Sequence, residues 1–141
     1  HDVILTIGMF ALTGLEFNLA TVAAILLIVG YSLNDTVVVY DRVRENLRKY
    51  KKLPLVDLLD RSINDTLSRT LMTSITTMLA LIALYTLGGA VIADFSLAMI
   101  WGVLVGTYSS IFIAAPSLVL LDLRRSDSPK SDESTGSNTS I

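Results

Sequence analysis

Tyr31-Ser32-Leu33-Asn34-Asp35 sets a run of polar side chains into sequence that is otherwise apolar. On one side, Phe17 to Asn34 holds no Asp, Glu, Lys or Arg. On the other, Thr36-Val37-Val38-Val39-Tyr40 intervenes before charge resumes at Asp41. At about 1.5 Å per helical residue, Asp35 lies roughly 9 Å inside Asp41. A carboxylate at that depth in a bilayer costs on the order of a few kcal/mol unless it is paired, hydrated or protonated. Tyr31 and Ser32 precede it on the same helical face and can hydrogen-bond a carboxyl group, with Asn34 adjacent. Two plainer readings stay open: a polar cluster that only ties helices together, or a span that ends early and leaves Asp35 among the headgroups.

Charge is segregated along the whole chain. The 141 residues are 52% hydrophobic, with a mean hydropathy of +0.60. Val3 to Leu15, Thr70 to Ala93 and Phe95 to Leu121 are also free of Asp, Glu, Lys and Arg. A helix needs roughly 20 apolar residues to cross the hydrocarbon. The last three stretches reach or nearly reach that length, and the first does not. The pattern predicts an all-α integral membrane bundle of four transmembrane helices, at about 3–15, 18–40, 67–88 and 95–122. Asp35 is the one aspartate expected inside it. The sequence opens on His1-Asp2 rather than Met, so an N-terminal truncation is expected; a basic n-region and a small-residue cleavage site are missing.

The connections fix an orientation. Between Tyr40 and Thr70 lie Arg42, Arg44, Arg48, Lys49, Lys51, Lys52, Arg61 and Arg69, and Arg124 and Arg125 follow the last span. The other two connections carry only Glu16 and Asp94. Basic residues favour the cytoplasmic side, so the loop at 41–66 and the C-terminus are expected there. After Pro54, Leu55, Leu58, Leu59 and Ile63 fall at helical spacing, which suits an interfacial amphipathic helix or a plain connector. Residues 126–141 are rich in Ser, Asp, Thr, Gly, Lys and Pro, and are expected to be a disordered tail. Three Asn-X-Thr/Ser matches, at Asn34, Asn64 and Asn138, are chance matches in cytoplasmic or membrane-buried sequence.

Arg69, at the cytoplasmic edge of the third span, is the natural counterpart of Asp35. Thr73 and Thr76 share its face and lead into the membrane. Burial disfavours a carboxylate's charge and a nearby arginine favours it, so a site balancing the two can take up and release a proton. An ordinary snorkelling arginine is the competing reading. In the fourth span Ala98, Gly102, Gly106, Ser110 and Ala114 recur at every fourth position, a small-residue stripe for close helix packing against a partner in this chain or another. Cysteine is absent and His1 is the single histidine, which excludes thiol chemistry, disulfides, a histidine metal cluster and a Ser-His-Asp triad. No phosphate-binding loop or dinucleotide fingerprint is present. No enzyme activity, cofactor, metal or nucleic-acid partner is expected, and any work must draw on an ion gradient or a partner.

Gly30 to Asn46, which runs Gly-Tyr-Ser-Leu-Asn-Asp-Thr-Val-Val-Val-Tyr-Asp-Arg-Val-Arg-Glu-Asn, closely resembles the SecF family. Further matches are His1-Asp2 opening a span, Leu67-Ser68-Arg69-Thr70 with Thr73-Ser74, and Gly88-Gly89 followed by Phe95-Ser96. Together they cover Met9 to Arg125 nearly continuously. The resemblance implies a bacterial inner-membrane subunit of the Sec protein translocase accessory complex. Its partners would be SecD, the SecYEG channel, SecA and YajC-type subunits, with membrane lipid around it and an unfolded secretory polypeptide as cargo. It implies that the proton motive force assists export, with Asp35 the proton-carrying aspartate and Arg69 its charged partner. Two alternatives remain: a non-conducting assembly module for a SecD-like partner, and another proton-driven exporter of the same superfamily. The family's first two spans and large extracytoplasmic domain have no counterpart in this sequence.

Overall fold

The computed structural model describes residues 1–120, and those residues form helices and no strand. The expected tail at 126–141, with Arg124 and Arg125, lies outside the described residues. Helix α1 (Asp2–Thr13) is followed by α2 (Leu19–Lys49), α3 (Leu55–Leu87) and α4 (Ala90–Ser109). A π-helical turn at Ser110–Ala114 joins α4 without a break to α5 (Ala115–Leu120).

Each boundary has a local cause. Asn18 caps α2 by accepting from the Thr21 backbone N–H at 3.1 Å, while the Thr21 hydroxyl accepts from the Asn18 N–H at 3.4 Å. This reciprocal box satisfies donors that a helix start leaves orphaned. Pro54, the N-cap of α3, sits where the helix does not need its missing N–H. The α3–α4 turn is only Gly88-Gly89, and Gly89 takes φ 76°, a left-handed value that a side chain would strain.

The spans differ in detail from the expectation. α3 is one unbroken helix of 33 residues, so the amphipathic segment after Pro54 and the third span are a single element. The helix that carries the fourth span begins at Ala90, ahead of the span's expected start near residue 95. α2, α3 and the continuous Ala90–Leu120 helix are each long and apolar enough to cross a membrane. α1 has 12 residues and is about 18 Å long, short of the roughly 30 Å hydrocarbon thickness.

Two apolar clusters sit at opposite ends of the bundle. One joins Phe10, Ala24, Ile28, Leu81, Ala98, Met99 and Val103; the other joins Val39, Val43, Leu58, Leu59 and Ala115. Between them every long helix turns polar on its buried face: Ser32 and Asp35 on α2, Thr70 and Ser74 on α3, Ser109 and Ser110 at the end of α4. Large apolar side chains such as Leu26, Leu33, Met72, Leu79 and Leu104 point outward, as lipid-facing residues do. The membrane bundle is thus apolar outside and polar in its middle layer.

The small-residue stripe packs against α2 of the same chain. A Cβ on Gly102 would lie 2.2 Å from Ile28 Cγ1, and one on Gly106 would lie 3.5 Å from Ser32 Cβ. Ala98 and Ser110 are fully buried, but the stripe does not continue to Ala114, which is half-buried; Ala115 takes its place with no exposure. The π turn adds one residue to the repeat and rotates the following helix. Pro116 gives the reason: it lacks an N–H and its ring crowds the carbonyl of Phe112, four residues back, and a widened turn relieves that clash. The Tyr40 hydroxyl donates to the Ala114 carbonyl at 2.9 Å and ties the turn to α2.

Candidate functional site: a carboxylate layer at mid-bundle

Asp35 lies on the buried face of α2, 5% exposed, between Ile28 and Val39 of the two apolar clusters. Its Oδ2 is enclosed and has no hydrogen-bond partner among the described residues. The Arg69 charge acts on it across the α2–α3 boundary, without a contact ion pair between them. A buried carboxylate oxygen without a donor is costly to keep, which makes it a candidate for chemistry rather than for stabilisation.

Ser32 does not serve Asp35. Its hydroxyl donates to Oδ2 of Asp2, the first residue of α1. Ser109 on α4 donates to the same oxygen at 2.9 Å, and the His1 ring Nδ1 lies 2.9 Å from Asp2 Oδ1. The bundle therefore carries a second carboxylate in its polar layer, and the expectation of a single one is corrected. Sequence reading passed over Asp2 because it stands beside the first residue, where no apolar run precedes it; its neighbour in space, Ser32, was the available signal.

Tyr31 joins a different chain of hydroxyls. Its OH lies 3.3 Å from Ser74 Oγ on α3, which lies 2.7 Å from Thr107 Oγ1 on α4, and Thr107 donates to the Val103 carbonyl. Asn34 is exposed, on the face away from this layer. Thr73 is exposed too, and its hydroxyl donates back to the Arg69 and Thr70 carbonyls. The buried hydroxyl stripe of α3 is instead Ser62, Thr66, Thr70 and Ser74, one position along from the expected one. Packing chose between two faces that carry similar residues.

A cleft of about 480 Å³ opens between α2 and α3, lined by Val38, Asp41, Arg42, Asp65, Thr66 and Arg69 among others. Val38 is three residues from Asp35, so its inner end reaches within about one helical turn of the carboxylate. Arg42 bridges the two walls, with its NH2 group 3.1 Å from Asp65 Oδ2 and its NH1 group 2.7 Å from Glu45. Beneath that bridge, the buried Asn46 donates to the buried Ser62 hydroxyl at 2.9 Å. Among the described residues no cluster of His, Cys, Asp and Glu could hold a metal ion.

Residues 1–124 match the family described as protein export membrane protein SecD/SecF, C-terminal. The chain belongs to that family. It is 55% identical to the protein translocase subunit SecF of Rhodobacter capsulatus, over 92% of this chain and 39% of that one. It is 58% identical to the protein translocase subunit SecDF of Brucella abortus, over 94% of this chain and 17% of that one. The crystal structure of SecDF from Thermus thermophilus superposes with a TM-score of 0.84 at 53% identity, covering 88% of this chain and 17% of that one. A crystal structure of SecDF in super-membrane-facing form gives the same TM-score at 54% identity, covering 89% and 17%. This SecD/SecF-family chain thus spans about two fifths of the length of the SecF relatives it matches.

Proposed function

We propose that this chain is the membrane-embedded, proton-handling part of a Sec translocase accessory subunit, in which Asp35 takes up and releases protons to assist export of secretory proteins. The observation that carries this reading is a buried carboxylate oxygen without a donor, under the influence of Arg69 and one turn from a polar cleft. The family and the relatives named translocase subunits support the export role. A SecD partner follows from relatives in which both halves form one SecDF chain. SecYEG, SecA, YajC-type subunits and the unfolded polypeptide belong to the same proposal, as does the bacterial inner membrane with a cytoplasmic C-terminus.

The test is proton uptake by the full-length protein with its SecD partner in vesicles, read by an entrapped pH-sensitive dye under an imposed gradient. Uptake that requires Asp35 is expected. No uptake above that of protein-free vesicles would instead leave an assembly module without proton flux.

Orientation and the cleft are tested together by single cysteines, since this sequence has none. A charged, impermeant thiol reagent is expected to modify Lys52→Cys and Val38→Cys from the cytoplasmic face, and Gly89→Cys only from the opposite face. Leu79→Cys, exposed on the outer surface of α3, should stay unmodified because lipid covers it. Labelling of Lys52→Cys and Gly89→Cys from one face would contradict the topology. Protection of Val38→Cys would mean that the cleft is dry.

A further inference from the structure

Asp2 opens α1 with its side chain turned into the bundle. Its side chain is 12% exposed, and a single oxygen, Oδ2, receives the hydroxyls of Ser32 on α2 and Ser109 on α4. The close approach of α4 to α2 at Gly106 brings these hydroxyls together, since Gly106 stands against Ser32 with no side chain between. Ser32 lies one helical turn from Asp35 on the same buried face, and Asp35 Oδ2 is enclosed without a donor. The Ser32 hydroxyl thus bonds Asp2 and stands one helical turn from Asp35, to which it makes no hydrogen bond in this structure. Among the described residues, the other ionisable groups facing this layer are His1 on α1, touching Asp2 Oδ1, Tyr31 on α2, bonded to Ser74, and Arg69 on α3, acting on Asp35; α4 brings the hydroxyls of Thr107 and Ser109.

We propose that Asp2 is a second proton-carrying carboxylate, which hands its proton to Asp35 through the Ser32 hydroxyl. The proposal rests on the proton-handling reading of Asp35. A serine hydroxyl both donates and accepts. The proton on protonated Asp2 passes to the Ser32 oxygen as Ser32 gives its own proton to the Asp35 carboxylate. One proton moves, Asp2 is left ionised, Asp35 becomes neutral, and Ser32 is unchanged.

The experiment is proton uptake by the full-length protein with its SecD partner in vesicles. Asp2→Asn keeps an oxygen that can accept both serine hydroxyls, so it preserves the brace between α1, α2 and α4 while removing the proton. Uptake is expected to fall to the level of protein-free vesicles, with partial recovery in Asp2→Glu. Uptake close to that of the unmodified protein in Asp2→Asn would overturn the proposal. If Asp2→Asn does not fold, two further variants decide. Ser32→Ala removes the link to Asp35, whereas Ser109→Ala removes only a brace, so Ser32→Ala should lose far more uptake than Ser109→Ala. Equal losses in those two would make Asp2 a brace and overturn the relay. Asp35→Asn in the same vesicles separates the two levels: if it too transports normally, the proton reading itself fails, and if it alone is silent, only the relay does.

Discussion

Secretion driven by the proton gradient is expected to stop in Asp35→Asn while the bundle folds and binds its partner as before. The amide matches the carboxyl group in shape and hydrogen bonding but does not titrate. Because Asp35 Oδ2 has no donor in the buried layer, the substitution also removes a costly charge, so the variant should resist unfolding at least as well as the unmodified protein. Loss of function without loss of stability is the signature of a group kept for chemistry. Arg69→Ala should abolish secretion for another reason: it removes the positive charge that acts on Asp35 across the α2–α3 boundary. Arg69→Lys should fail partly, since it keeps the charge but loses the planar fork. Asp41→Asn should have a much smaller effect, because Asp41 is exposed at the cleft wall. The measurement is secretion of a reporter in cells depleted of the native subunit, at matched expression. Normal secretion by Asp35→Asn would end the proton-carrier role.

The second large effect is expected at Gly102, and it separates two glycines that look equivalent in sequence. A Cβ at Gly102 would meet three atoms of Ile28, at 2.2, 2.4 and 2.9 Å, and Ile28 is itself 1% exposed inside the upper apolar cluster. The β-branched side chain has no free rotamer to retreat into, so Gly102→Ala should destabilise the bundle by about 1–3 kcal/mol, and Gly102→Leu should prevent its assembly. At Gly106 the nearest atom to a new Cβ is at 3.5 Å, an ordinary contact. Gly106→Ala should therefore be neutral, or stabilising by up to about 1 kcal/mol through helix propensity. Unfolding in detergent, followed by helical circular dichroism, checks both. Equal destabilisation by the two alanines would show that the α2–α4 crossing differs from the one described.

Much of this molecule was legible from residue types in order. Segregated charge marked the long helices, because lipid tolerates no unpaired polar surface and the sequence must show where it begins and ends. Asp35 stood out for the same reason, as an acid within an apolar run, and the structure buries it. Only tertiary structure could assign the partners. α3 carries hydroxyls on two adjacent faces, and the choice of Thr70 and Ser74 over Thr73 and Thr76 depended on how the helix rotates against α2 and α4. The regular repeat ran to Ala114, while the π turn before Pro116 moved the contact to Ala115, a shift no fixed period contains. Ser32 was placed beside Asp35 by helical spacing, yet its hydroxyl went to Asp2, thirty residues away in sequence. Helical periodicity reports which residues share a face; which carboxylate that face meets is set by long-range packing, here by the close crossing of α4 on α2, which the missing side chain of Gly102 permits against Ile28.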